Sequence, residues 1–253
     1  MTITFDTFVF VFGSNLAGRH GAGAAKFARE WRGAEPGIGV GLRGQSYALP
    51  TKGRSLEVLP LSEIKEHVDA FKAVAARRQD LRFQVTRVGC GLAGYQDTDI
   101  APLFDAASEN VMLPGVWHKL LGKKGRRRVI VGGAREGVSR RTVFESLDAL
   151  LPAPNDTRVL VVSNGERGAA TYAEEWAASR LSAQQPPFLR VDANWPKYQK
   201  VANQVRDSQM VWYATDLILF SVSPLKESAS LVAQARNNGL QTQVVGIENP
   251  RLF

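Results

Sequence analysis

The sequence predicts an α/β protein made of two layered domains. Three observations predict this. Short apolar runs rich in β-branched and aromatic residues alternate with helical periodicity along the chain. Glycine-rich turns sit where strands hand over to helices. A basic run, GKKGRRR, interrupts the alternation at residues 122–128. The expected organisation is therefore a first domain over 1–120, a basic linker over 121–128, and a second domain over 129–253.

From the N-terminus, residues 5–12 (FDTFVFVF) read as an apolar strand. The loop GSNLAGRHGAG follows, and then a helix over AAKFAREW. Residues 46–50 (SYALP) read as a short strand. In LSEIKEHVDAFKAVAARR (61–78), Ile64, Val68, Phe71 and Ala75 fall on one helical stripe, with Ser62 as candidate cap. RFQVTRVG (82–89) reads as a buried strand and DIAPLFDAASEN (99–110) as a second helix.

The second half alternates more regularly. Strands are expected at RVIVGG, RVLVVSNG, PFLRVDA, DLILFSV and TQVVGI. Helices are expected at SRRTVFESLDALL, capped by Ser139, and at GAATYAEEWAASRL. Two more are KYQKVANQVRDSQMVWY, read as one long helix, and SASLVAQARNNG, ended by Gly239. Five strands with helical crossovers describe a Rossmann-like parallel sheet.

Composition bounds the function classes. With 44% hydrophobic and 22% charged residues in 253, the chain has the make-up of a soluble globular protein. No apolar run is long enough to span a bilayer, and the N-terminus lacks the positive start of a signal peptide. Cys90 is the single cysteine, which excludes a disulfide within the chain and fits a reducing cytoplasm. The three histidines are scattered and give no metal-ligand spacing, so no metal is expected. The net charge of +8 is mostly Lys123, Lys124, Arg126, Arg127 and Arg128. That run is a solvated linker or a contact for nucleic-acid phosphates.

The chemistry-bearing features are glycine loops beside cations. Gly21, Ala22 and Gly23 open a helix, and Gly89, Cys90, Gly91, Leu92, Ala93, Gly94 and Tyr95 form a second turn. Small residues let backbone N–H groups approach an anion, so two such loops suggest a diphosphate gripped from both sides. Asn15 and Lys52 follow expected strands. Asn15 is a ligand contact or an Asx-turn residue, and Tyr95 a stacking platform or a core residue. His20 reads as an exposed loop residue and Cys90 as a packing residue.

Carried by GAG at 21–23, TK at 51–52 and GCGL at 89–92, residues 5–117 resemble macrodomains. The likeness is closest to the branch with terminal ADP-ribose glycohydrolases. The run FVFGSNLAGRHGAGAA…SYALPTK…VGCGLAGY is also similar to a macro-like family common in phage and prophage genomes. The resemblance implies a three-layer α/β/α domain that binds ADP-ribose or a related nucleotide and requires no cofactor. In the glycohydrolase branch a catalytic aspartate follows G-C-G-L, and here Ala93 stands there. Hydrolysis would then fall to Lys52, with Asp97 as the substitute acid.

In the second half, expected strand ends carry Gly132, Gly133 and Arg135, then Gly165, Arg167, Gly168 and Ala169, and the loop SVSPLKES (221–228). Arg206 is read as a fork onto a ligand phosphate, with an ion pair to Asp207 or Asp216 as the alternative. Carried by GGAR, GERGAA, AEEWA, ANWPKYQKVANQVRDSQM and ATDLILF, residues 127–247 resemble the SLOG superfamily of Rossmann-like nucleotide-binding domains. Trp195 and Tyr198 fit that family's helix entry and read as core.

The expected function is binding, sensing or sequestration of an NAD-derived nucleotide in the cytoplasm. For a phage-encoded protein that is the host cytoplasm, and the expected role is counter-defence. The alternatives are an ADP-ribosyl hydrolase using Lys52 and a single-stranded nucleic-acid binder. The reading leaves a homo-oligomer open.

Overall fold

The computed structural model describes residues 2–3, 5–122, 126–151, 159–181, 186–222 and 229–247. The chain is α/β throughout, with two mostly parallel sheets. It divides into two compact units. One is Asp6–Lys123, and the other joins Met1–Phe5 to Lys124–Phe253. The first residues thus belong to the second unit, although the sequence reading placed them in the first. The strand β1 (Thr2–Ile3) is the reason, because it pairs in parallel with a strand of the second sheet.

The first unit runs β2 (Val9–Asn15), α1 (Gly23–Trp31), β3 (Gly41–Arg43), β4 (Ser46–Lys52) and α2 (Leu61–Arg77). It continues through β5 (Phe83–Val85), α3 (Asp97–Ile100), β6 (Val111–Met112) and α4 (Gly115–Leu120). Sheet order is β3-β4-β2-β5-β6, with only β3 antiparallel to its neighbour. Alternation along β2 sorts its side chains between two faces. Val9 and Val11 join the core on which the α2 stripe Ile64, Val68, Phe71 and Ala75 packs, fully buried. Phe10 meets α1 instead, its ring edge-on to Phe27 at 5.1 Å.

Three expectations change here. Residues Phe5–Thr7 form a 3-10 turn, so the first strand starts at Val9. The residue before α2 is Pro60, and Ser62 lies within the helix, with no side-chain cap. The expected helix over 99–110 is the single turn α3 followed by a 3-10 turn, Ala101–Phe104. Pro102 lacks the N–H that a longer helix needs. The short strands β3 and β6 had no clear periodic signal.

The second unit runs β7 (Arg127–Gly133), α5 (Arg140–Leu150), β8 (Val159–Ser163), α6 (Ala169–Arg180) and β9 (Phe188–Val191). Then come α7 (Trp195–Tyr198), α8 (Ala202–Tyr213), β10 (Asp216–Ser221), α9 (Ala229–Asn237) and β11 (Gln241–Gly246). The six strands lie parallel in the order β1-β9-β8-β7-β10-β11. The continuous apolar runs of β7, β8 and β10 are those of strands covered on both faces. Ser139 caps α5 as expected, accepting from Thr142 N at 3.0 Å. The long helix expected over 197–213 is broken, because Gln199 takes a left-handed φ of 45° between α7 and α8.

Each sheet reverses its direction of growth once, between β2 and β5 in the first unit and between β7 and β10 in the second. Ligands in such sheets bind beyond the carboxyl ends of strands at these reversals. Both units have a cavity there. Among the described residues no helix is long and apolar enough to cross a membrane.

Candidate functional site

A cavity of about 380 Å³ opens at the carboxyl ends of β2, β4 and β5. Its size is ordinary for a small-molecule site. The sequence builds its walls from three directions.

The first wall is the turn after β2. Asn15 is buried, and its side chain holds this turn from both sides: Nδ2 donates to Arg19 O at 2.8 Å, and Oδ1 accepts from Arg19 N at 2.9 Å. Asn15 lines the cavity, but its amide is engaged in shaping the loop. Gly39 allows the turn to pass, since a Cβ there would stand 2.0 Å from Asn15 O.

The second wall is the start of α1. Gly21, Ala22 and Gly23 line the cavity, and the residue before the helix, Ala22, offers no side-chain cap. The first N–H groups of α1 are thus left for a ligand anion. A Cβ at Gly21 or Gly23 would meet nothing within 4 Å, and Gly23 also has a left-handed φ of 54°.

The third wall comes from β4 and the loop after β5. It brings Lys52 to the cavity beside Thr86, Arg87, Gly89, Gly91 and Ala93. Gly91 also has open space at its Cβ position, whereas a Cβ at Gly89 would press on Ile100 Cδ1 at 3.0 Å. Leu56 and the exposed Leu92 complete this side.

The electrostatics are one-sided. Arg19, Lys52 and Arg87 line the cavity, and among the described residues no carboxylate does. Among the described residues the Lys52 ammonium and the Arg19 guanidinium have no ion pair or hydrogen bond. Arg87 is held by Asp97, Nε to Oδ1 at 2.8 Å. Sequence reasoning missed Arg87 and Thr86, though they precede the second glycine loop directly.

Several expected site residues lie elsewhere. Asp97 is outside the cavity lining, its carboxylate taken by Arg87 and by Trp117 Nε1 at 2.7 Å. It anchors the loop. Tyr95 sits against the core, with its hydroxyl donating to Leu59 O at 2.7 Å. Gly94 shapes the turn, donating to Gly91 O at 2.9 Å. Cys90 packs on the core, and burial together with the nearby Asp97 charge pushes its thiol up to about 12. His20 is buried, contrary to expectation, edge-on to Phe12 at 5.1 Å.

The second unit has two adjoining cavities of about 420 and 670 Å³ at the ends of β7, β8, β9 and β10. Gly133, Arg135, Arg167 and Arg206 line them, as the sequence suggested. Gly132, Gly165, Gly168 and Ala169 do not. Gly133 and Gly168 serve chain crossings, since a Cβ would lie 2.1 Å from Phe220 O and 2.4 Å from Ala134 O respectively. Gly165 passes Arg190, and Ala169 is buried in the core.

Arg206 is no free phosphate fork. Its Nε donates to Asp207 at 2.9 Å and its Nη2 to Glu166 at 3.3 Å, while Arg135 Nε donates to the other Glu166 oxygen at 2.8 Å. The basic run is likewise engaged: Arg126 donates to Pro186 O, Arg127 pairs with Asp216 at 2.7 Å, and Arg128 is buried over the Tyr213 ring. Lys123, Lys124 and the loop 223–228 lie outside the described residues. No group of three or more potential metal ligands occurs among the described residues.

No protein-family model, curated protein or solved structure matches this chain.

Proposed function

We propose that the first unit binds the diphosphate of ADP-ribose or a related nucleotide, with a macrodomain-like first unit and a SLOG-like second. The observation that carries this reading is the lining of the cavity. Two glycine loops converge on one space with open Cα positions, the uncapped start of α1 and three cations, and no carboxylate among the described residues. Such a surface favours a dianion bridged by backbone N–H groups.

Recognition without turnover is the better-supported activity. Hydrolysis of a glycosidic bond needs an acid or base near the reacting carbon. Position 93 carries alanine, and Asp97 is locked by Arg87 and Trp117. The protein would then sense or sequester its nucleotide, and counter-defence in a phage-infected cell is one setting for that activity.

Calorimetry with ADP-ribose tests the reading. Gly21→Asp introduces a carboxylate into open space without a backbone penalty, because Gly21 lacks a left-handed φ. Affinity should fall at least about tenfold, equivalent to about 1.4 kcal/mol, with an unchanged melting temperature. Equal affinity in variant and parent overturns the assignment. Release of ADP-ribose from a modified protein, abolished by Lys52→Ala, would overturn the binding-only reading.

A further inference from the structure

Each sheet ends in two edge strands. Proteins keep such edges from pairing with other chains by making them short or charged. Three of the four edges here follow that rule. β1 and β6 have two residues each, and β3 has three, ending in Arg43. The fourth edge, β11, does not. It runs six residues, pairs with β10 over its whole length, and has no strand on its other side among the described residues. Residues 237–247 include no charged side chain and no proline. Nothing in this stretch repels a second strand, although the chain as a whole carries +8.

The ladder to β10 fixes which backbone groups face outward. Gln241 N donates to Thr215 O at 3.3 Å, and Ile247 N donates to Ser221 O at 2.9 Å. Backbone groups alternate in direction along a strand, so the odd-numbered residues of β11 face β10. The N–H and C=O groups of Thr242, Val244 and Gly246 therefore point to the open edge. Val244 is also 42% exposed. Unpaired backbone groups and an exposed β-branched side chain are what a pairing strand uses.

The outward set is symmetric about Val244. A second copy of the strand, laid antiparallel with a two-fold axis at Val244, sets Val244 against Val244 and Thr242 against Gly246. Each of these pairs exchanges both N–H and C=O groups. Gln243 then lies opposite Val245, and Gln241 opposite Ile247, so no like charges meet. An unrelated strand would need its own match to this register, whereas a second copy matches by symmetry. We infer that β11 is a dimer interface, through which two copies of this chain pair antiparallel over residues 242–246 and join their sheets. The inference involves neither cavity and does not rest on the reading of the first.

Sedimentation velocity of the full chain through the micromolar range tests it. The parent should sediment as a dimer. Val244→Lys and Val244→Glu each place like charges opposite one another across the axis, so each alone should weaken association at least about tenfold. An equimolar mixture of the two should recover the dimer, because opposite charges then face each other. Circular dichroism and a thermal melt establish that each variant is folded. Oxidative cross-linking reads the register without a charge in the strand. Val244→Cys should give a disulfide-linked dimer. Gln243→Cys should not, because in this register its Cα lies beyond the roughly 7 Å reach of a disulfide from its own copy. The parent, with Cys90 alone, should stay uncrosslinked. If a charged variant fails to fold, the cysteine pair decides. The inference is overturned if the parent sediments as a monomer, if a folded charged variant associates as the parent does, or if the mixture stays monomeric. Cross-linking of Gln243→Cys as readily as Val244→Cys also overturns it.

Discussion

Arg87 and Asp97 form a two-pronged ion pair, with Nε meeting Oδ1 at 2.8 Å and Nη2 meeting Oδ2. The pair ties the end of β5 to the start of α3, so the loop between them, residues 88–96, is closed at its base. Trp117 Nε1, itself buried, donates to the same carboxylate at 2.7 Å. The loop that walls the first cavity is therefore fastened to the core of its own unit.

Asp97→Asn should destabilise the first unit by roughly 3 kcal/mol, because a largely buried guanidinium loses its counter-charge. Burial alone would raise the Asp97 carboxyl, but the hydrogen bonds from Arg87 and Trp117 and the Arg87 charge outweigh it and hold it below the usual range. A depressed folded value means that the stabilisation is present above the unfolded value of about 3.9 and lost as pH falls through the folded one. Denaturant unfolding from pH 7 to pH 2 should show the parent losing this advantage over the variant on the acid side. A pH-independent difference would contradict the assignment.

Lys52 should be separable from folding. Its ammonium lines the cavity and has no partner among the described residues, so Lys52→Met should leave the melting temperature nearly unchanged. ADP-ribose affinity should fall about tenfold, as expected for one charge-assisted hydrogen bond of roughly 1.5–3 kcal/mol. Calorimetry beside a thermal melt checks both halves of this expectation.

Two glycines of the same site should respond in opposite ways to alanine. Gly39→Ala places a Cβ 2.0 Å from Asn15 O, a backbone atom that cannot step aside without moving the turn. A loss above about 2 kcal/mol is expected, in the range for overpacking and strain. Gly21→Ala meets nothing within 4 Å and should be close to neutral. Urea midpoints for the two variants give the comparison directly.

Cys90 should resist alkylation while the protein is folded. Its thiol is pushed up to about 12 by burial and by the Asp97 charge, so little thiolate exists near neutral pH. Iodoacetamide at pH 8 should label the unfolded chain much faster than the native one. Equal rates would show that the loop opens freely.

Much of the architecture was legible in the residues themselves. Period-two and period-3.6 patterns located the long strands and helices, because each must bury one face or stripe whatever the remainder of the chain does. The stripe Ile64, Val68, Phe71 and Ala75 is the plainest case. The glycine pairs marked the first cavity for a related reason: Gly21, Gly23 and Gly91 have open space where a side chain would stand. Short elements carried too few residues to show a period, so β1, β3 and β6 emerged only from their pairing.

The partners of the charged side chains were decided by tertiary structure alone. Sequence placed Asp97 and Arg206 near glycine loops, and both looked available for chemistry. Folding brought Arg87 and Trp117 to the first, and Asp207 and Glu166 to the second, across separations of up to 40 residues. It also turned Trp195 outward while burying Tyr198 three residues later. A residue's type fixes what it can donate or accept. Whether that capacity is free for a ligand depends on which distant groups the fold sets beside it, and no local pattern in the sequence encodes that.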